Sequence, residues 1–170
     1  MNIAVIGIGQ SLRGDDGIGP EAVRRWTADF PATANDPHIH ILLLESPGLG
    51  LLDDLEAAEA AILVDAVSTG HPAGTVRVFD PIPNTRLSAA EKTSHGFGVA
   101  ESISVARKTG ARLPQRLILI GVEGGQYELG RSLSDPVRAA IPAAVEKIQE
   151  MVSSLISIKA TKKDLKNTKI

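Results

Sequence analysis

The sequence predicts an α/β fold, a three-layer α/β/α sandwich around a mostly parallel sheet of about five strands. Two observations predict it. Short apolar runs alternate along the chain with stretches of helical period, as in successive strand–helix units. The composition is 43% hydrophobic but only 3% aromatic, which is typical of layers packed by aliphatic side chains. With 170 residues the chain is long enough to bury one substantial core, so we expect a single domain over residues 1–158.

Five apolar runs are predicted to be strands. The first is continuously apolar after Asn2, which is the pattern of a parallel strand buried on both faces. The fourth alternates between apolar and polar residues and is therefore expected near an edge of the sheet. The predicted strands cover residues 2–8, 38–45, 60–67, 74–80 and 116–122.

Helices are predicted between these strands. Pro20 marks the start of the first, because proline is favoured in a first helical turn. Two more are expected over about 50–57 and 96–110. Ser134 is predicted to cap a final helix, and Pro142 is expected to kink it or to split off its first turn.

Three further segments lack a clear hydrophobic period. Residues 81–93 are predicted to be a long polar connection, and residues 123–133 a glycine-rich loop. Residues 159–170 are rich in lysine, and we expect them to form a disordered tail.

Composition also restricts the class of function. The formal net charge of −2 does not favour a nucleic-acid partner. The absence of cysteine excludes disulfides, thiolate catalysis and iron–sulfur clusters within this sequence. The N-terminal segment does not read as a signal peptide, and no apolar stretch is long enough to span a membrane. We therefore expect a soluble cytoplasmic protein.

Acidic residues follow the predicted strands at the points where the strands end. In parallel sheets, ligands bind in the crevice outside the carboxyl ends of the strands, so these residues are the first candidates for a site. A histidine followed by glycines precedes the 96–110 helix and is a further candidate. The stronger candidates are Asp15, Asp16, Asp65 and His95, and the weaker ones are Glu45 and Glu123.

Each candidate also has a purely structural interpretation. Asp15 or Asp16 can cap a helix or brace a turn, and His95 can be a surface or capping histidine. Asp65 ends the most apolar strand, so its charge must be paired, coordinated to a metal or placed at a solvent-exposed strand tip. These alternatives remain open at the level of sequence.

The loop after the first strand favours a cation over a phosphate group. "GIGQSL" begins like a dinucleotide-binding fingerprint, but Leu12 stands where the third glycine belongs. Asp15 and Asp16 in the same loop would repel a pyrophosphate. Carboxylates together with an imidazole favour a divalent transition metal with coordination positions left open.

Five motifs together resemble the nickel–iron hydrogenase maturation endopeptidases, in the order and spacing of that family, over about residues 1–156. The motifs are "GIGQSLRGDDGIG", "ILVDAV", "SHGFGV", "LILIGVEGG" and "GRSLSDPV". The sequence departs from the family's usual pattern at Gln10, at "ESPG" in 45–48 and at Gly124.

The resemblance implies a hydrolase that acts on the hydrogenase large-subunit precursor and removes its C-terminal extension. It places the metal-binding residues on Asp16, Asp65 and His95. The metal is nickel already inserted in the precursor, for which cadmium or another divalent metal can substitute in crystals. Without a cysteine or a "GxSxG" serine, a water activated by a carboxylate or by the metal is expected to attack the peptide bond, which makes Asp16 and Asp65 the candidate catalytic residues.

Two other functions remain open. One is a non-catalytic, nickel-dependent assembly factor that uses the same metal site. The other is a nucleotide- or phosphate-binding module that uses the glycine loop and the N-terminus of the following helix.

Overall fold

The computed structural model describes residues 1–46, 48–80, 92–93 and 99–167. Its strands and helices alternate as the sequence predicts. The strands are β1 (Ile3–Ile8), β2 (Ile39–Leu44), β3 (Ala60–Ser68), β4 (Val76–Phe79), β5 (Lys92–Thr93) and β6 (Arg116–Glu123). The helices are α1 (Ile18–Asp29), α2 (Pro31–Ala34), α3 (Leu51–Glu56), α4 (Val99–Thr109), α5 (Asp135–Ala139) and α6 (Ile141–Asn167).

Five of the strands form one sheet in the order β2-β1-β3-β6-β4. The pairs β1–β2, β1–β3 and β3–β6 are parallel, whereas β4 runs antiparallel to β6 at the edge of the sheet. The predicted mostly parallel sheet and the edge position of the fourth strand are therefore confirmed.

A two-residue strand lies inside the segment that the sequence predicts to be a connection. In β5, Thr93 pairs antiparallel with Val67 and Lys92 pairs with Ser68. β6 occupies one edge of β3 as far as Val67, so β5 uses the other edge, which β1 occupies as far as Val64. β5 thus lies beyond the carboxyl end of β1. The remaining residues of that connection, 81–91, are outside the described part of the chain.

The sheet is covered on both faces, which confirms the three-layer sandwich. One core packs α1 and α6 on one face, with Ile18, Trp26 and Ile148 among its buried members. The other core packs α3 and α4 on the opposite face, with Leu51 and Ile103 among its members. Burial on both faces is the reason why β1 and β3 read as continuous apolar runs rather than as alternating ones.

The C-terminal helix differs from its prediction in one respect. A break at Ala140 separates α5 from α6, as Pro142 predicts. Beyond residue 158, however, α6 continues to Asn167, where the sequence predicts a disordered tail. Alanine, leucine and lysine have high helix propensity, so this segment can extend a helix that packing has already nucleated. Within the described residues, no helix has both the length and the apolarity to cross a membrane.

Glycines let α1 approach the sheet closely at the carboxyl end of β1. A Cβ atom at Gly19 would press against the carbonyl oxygens of Ile8 and Val64, and one at Gly7 would lie 2.7 Å from the oxygen of Gly19. The first turn of α1 therefore lies directly against β1 and β3. This contact positions the loop that connects β1 to α1.

We predict that Gly19→Ala destabilises the protein by about 1–3 kcal/mol, because backbone oxygens on both sides leave no room for the methyl group. The effect opposes helix propensity, which alone would make alanine stabilising in α1. Urea unfolding measures the change. Gly50→Ala is the matched control, since its Cβ would meet nothing within 4 Å and its φ is −59°. Equal stabilities for the two variants would contradict the close approach.

Candidate active site

Four acidic residues are buried where β1, β3 and β6 end. Asp15 is fully buried, Asp65 is 1% exposed, and Asp16 and Glu123 are each 2% exposed. The burial of Asp65 excludes the solvent-exposed strand tip among its three alternatives. The expected convergence of carboxylates at this edge of the sheet is thus observed for four of the candidates, whereas Glu45 is exposed.

Asp15 joins the β1–α1 loop to the loop that follows β6. Its Oδ2 accepts hydrogen bonds from the backbone N–H of Gly125 at 2.8 Å and of Gln126 at 3.0 Å. Its Oδ1 accepts one from the N–H of Ser134 at 2.7 Å, and the Ser134 hydroxyl donates to Oδ2 at 3.0 Å. The backbone of Asp15 in turn donates to the carbonyl of Gln126. Asp15 therefore has a structural role, bracing a loop, which was one of the interpretations that the sequence left open.

Asp16 points in a different direction. It lies in a 3₁₀ turn (Gly14–Gly17), and its Oδ2 accepts a hydrogen bond from the N–H of Gln10 at 2.7 Å. Gly9 has a φ of +134°, and a Cβ there would approach the carbonyl oxygen of Asp16 and lie 3.7 Å from its Cγ. The carboxylate is thus held directly beyond the carboxyl end of β1.

Six backbone donors of this loop are already used by the protein itself. The N–H groups of Gly9, Arg13, Gly14, Asp15 and Asp16 all donate to backbone carbonyls, and that of Gln10 donates to Asp16. A phosphate-binding loop needs such groups free to point at the ligand. These six groups are not available to a phosphate, which weighs against the nucleotide- or phosphate-binding alternative.

Asp65 lies near the end of the central strand β3. In the register of the sheet it pairs with Gly121 of β6 and follows Val64, the partner of Gly7 in β1. Thr93 of β5 pairs with Val67, two residues further along β3. Asp65 therefore lies between β1, which leads into the loop of Asp15 and Asp16, and β6, which ends at Glu123.

Glu123 braces the turn that follows β3. Its Oε1 accepts hydrogen bonds from the N–H groups of Thr69 at 2.6 Å and Gly70 at 2.9 Å, and its Oε2 accepts one from the Thr69 hydroxyl at 2.7 Å. His71 also contacts that hydroxyl, at 2.9 Å through Nδ1. These contacts explain why a weak candidate for function is nevertheless buried.

Tyr127 is a site residue that the sequence analysis missed. Its hydroxyl donates to the carbonyl of Val67 at 3.3 Å, and a Cβ at Gly124 would collide with that hydroxyl. Burial raises the pKa of Tyr127 to about 12, with further contributions, in decreasing order, from the negative charges of Asp15, Glu123, Asp65 and Asp16. The negative charges of all four buried carboxylates thus raise the pKa of the same phenol. The available signal was that the only tyrosine of the chain lies in a glycine-rich loop.

His95, the third predicted metal ligand, lies outside the described residues. The other histidines do not replace it: His38 and His40 lie at the start of β2, at the opposite end of the sheet, and His71 is held by Thr69. Among the residues that the structure describes, no three His, Cys, Asp or Glu side chains form a group that could hold a metal ion. Asp16 and Asp65 are the two predicted ligands that the structure describes.

The raised pKa of Tyr127 gives a direct optical test of this cluster. We predict that the native protein ionises its only tyrosine with a midpoint near pH 12, against about 10 for a free phenol. Because the folded pKa is the higher one, the associated stability is present below pH 10 and is lost as the pH rises towards 12. Absorbance at the phenolate band measures the midpoint, and a native midpoint near 10 would contradict this environment. Tyr127→Phe should remove the part of the alkaline loss of stability that comes from ionisation of this tyrosine.

Comparison with known proteins places the fold and these loops in one family. Residues 39–151 match the family model described as hydrogenase maturation protease. The hydrogenase expression/formation protein HupD of Rhizobium leguminosarum bv. viciae is 33% identical over 154 residues, which cover 89% of this chain and 74% of that protein. HoxM of Cupriavidus necator is 30% identical over 147 residues, which cover 85% of this chain and 71% of that protein.

Solved structures agree with these sequence matches. The hydrogenase maturating endopeptidase HybD from E. coli superposes with a TM-score of 0.70 at 26% identity, covering 91% of this chain and 93% of that one. The [NiFe] hydrogenase maturation protease HycI from Thermococcus kodakarensis gives a TM-score of 0.66 at 25% identity, covering 89% and 92%. This chain therefore belongs to the hydrogenase maturation protease family, and it is an endopeptidase of that family.

Proposed function

We propose that this protein recognises nickel in the large-subunit precursor of a nickel–iron hydrogenase, in the cytoplasm, and then removes the C-terminal extension of that precursor. Asp16, Asp65 and His95 are the proposed nickel-contacting residues. The observation that carries the proposal is the burial of Asp16 and Asp65 at the same edge of the sheet, in a protein of the maturation protease family.

The electrostatics of this edge favour a cation. Four carboxylates act together on the hydroxyl of Tyr127, and all four are buried, where water screens charge poorly. Asp15 accepts hydrogen bonds from four donor groups and Glu123 from three, which accounts for these two residues structurally. The family resemblance assigns the metal contacts to the other two carboxylates, Asp16 and Asp65.

The pairing of β5 with β3 supports the assignment of His95. Thr93 precedes His95 by two residues, and its partner Val67 follows Asp65 by two residues. Two residues of chain reach at most about 7 Å. The pairing therefore places Thr93 at the end of β3 that carries Asp65, on the edge beyond β1.

This donor set suits recognition of nickel that belongs to the substrate. Two carboxylates and an imidazole, without a thiolate, occupy only part of a transition-metal coordination sphere. The remaining positions can be filled by groups of the precursor. The precursor's nickel would thereby bring the scissile peptide bond to the two aspartates, which supplies the orientation that proteolysis requires.

The aspartates can then carry out hydrolysis without a covalent intermediate. One carboxylate takes a proton from water while the water oxygen attacks the scissile carbonyl carbon. The resulting tetrahedral species breaks the C–N bond as the protonated carboxyl group returns that proton to the leaving nitrogen. Atoms and charge balance, and no cysteine or serine nucleophile is used.

We predict that Asp16→Asn lowers processing of the nickel-loaded precursor by at least ~10²-fold, the usual scale for loss of a general acid–base group. Folding should be nearly unchanged, because the amide oxygen can still accept the hydrogen bond from Gln10. Mass spectrometry of the precursor before and after incubation measures processing, and thermal unfolding measures stability.

Asp15→Asn is the matched control, one position away. An amide there places an NH₂ group against donors of Gly125, Gln126 or Ser134, so we expect a loss of about 1–3 kcal/mol in stability. At a temperature where this variant is still folded, it should keep far more activity than Asp16→Asn. Full activity in Asp16→Asn, or the larger catalytic defect in folded Asp15→Asn, would overturn the assignment.

We also predict that the free protein binds Ni²⁺ weakly, since its open set of ligands is completed only by the precursor. Calorimetry with Ni²⁺ should give a weak signal that Asp65→Asn and His95→Ala both remove. A tight site that survives both changes would place the metal elsewhere. If the wild-type protein binds the nickel-loaded precursor and leaves its C-terminus intact, the assembly-factor alternative is correct and proteolysis is not.

A further inference from the structure

Two leucines are exposed side by side next to the candidate site. Leu129 is 78% exposed and Leu12 is 72% exposed, the highest values among the large hydrophobic residues that the structure describes. The N–H of Gly130 donates to the carbonyl of Leu12 at 2.8 Å, so the two leucines lie on adjacent backbones. Exposed apolar side chains that occur together indicate an interaction site, whereas scattered ones do not.

Two arginines flank these leucines. Arg13 and Arg131 form a parallel bridge between the same two backbones, and both are exposed. Neither forms an ion pair with any of the described residues. Asp15 and Asp16 are buried, and Glu128 is the only acidic residue of the segment 124–133, so the two arginines outnumber the exposed acidic residues of these two segments.

The four residues are held in place by the structure of the site itself. Leu12 lies four positions before Asp16 in the β1–α1 loop, and Leu129 lies in the loop that Asp15 anchors. The N–H of Gly14 donates to the carbonyl of Arg131 at 3.0 Å and fixes the spacing of the two segments. A partner would therefore meet a pre-formed surface, which lowers the entropy lost on binding.

This surface continues into a depression. Ser11 and Ser132, the chain neighbours of Leu12 and Arg131, line a hollow of about 240 Å³. Its other polar walls are Glu21, Arg24 and Arg138. Gly17, which follows Asp16, also lines the hollow, so a segment bound on the leucines has room to continue along the first half of α1.

We propose that Leu12, Leu129, Arg13 and Arg131 form a docking surface for the peptide segment of the precursor next to the scissile bond. The segment would carry apolar side chains that cover the leucines and at least one carboxylate that pairs with the arginines. This inference rests on the proposed function, because a protease must hold the chain that it cuts. It adds a binding surface that is separate from the metal-contacting residues.

The test compares two double variants with wild type. In Leu12→Gln/Leu129→Gln, the Kd for the nickel-loaded precursor and the KM should both rise at least 10-fold, while kcat at saturation stays within twofold. In Arg13→Ala/Arg131→Ala, the Kd should rise and should depend less on salt than in wild type, because screened ion pairs are lost. Ile156→Gln is the control: Ile156 is 38% exposed on α6 and lies about 22 Å along the helix from Ile141.

Binding and processing are measured separately, by interferometry and by mass spectrometry. If the wild-type protein binds the precursor but does not cut it, and the double variants lose binding, the docking surface is confirmed and the proposed proteolysis is wrong. If both double variants bind and cut the precursor as the wild-type protein does, the docking surface is wrong and the proposed function is retained. If the leucine variant instead converts a dimer to a monomer in sedimentation with an unchanged precursor Kd, the surface joins two copies of this chain and the proposal is overturned.

Discussion

The hydrogen bonds of the Asp15 carboxylate hold the candidate site together. This one side chain accepts from Gly125, Gln126 and Ser134, and so ties the loop after β1 to the loop after β6. The contact between these loops determines the position of Asp16 and the alignment of Leu12 with Leu129. It also supports the packing of Tyr127 against Gly124. Because Asp15 is buried and charged, a loss of its donors would leave an uncompensated charge in the protein.

The different directions of Asp15 and Asp16 show why this loop carries two negatively charged residues. A 3₁₀ turn advances each residue by about 120°. Asp15 and Asp16 are adjacent in such a turn, so one carboxylate faces the 124–134 segment and the other faces Gly9 and Gln10. The same short sequence thereby supplies a structural brace and the residue that we propose contacts the metal. The two acidic residues of this loop therefore do not duplicate one function.

The fold could be predicted because burial on both faces leaves continuous apolar runs such as residues 60–67, and because proline is tolerated in the first turn of a helix but not in its interior, so that Pro142 marks a helix start. Asp15, Asp16 and Asp65 became candidates because of their positions at strand ends, and the family resemblance chose Asp16 over Asp15. The distinct roles of Asp15 and Glu123 could not be predicted, since each depends on donors more than 50 residues away in the chain. Tyr127 and β5 were missed for the same reason: the contacts with Val67 that define them come from the tertiary fold.

The central claim is that residues of this protein contact the nickel of the precursor. X-ray absorption at the nickel edge of the loaded precursor, with and without this protein, tests that contact directly. We predict additional oxygen or nitrogen neighbours of nickel in the complex, and their loss when Asp65→Asn replaces the wild-type protein. A nickel spectrum that does not change on binding of the wild-type protein would contradict it.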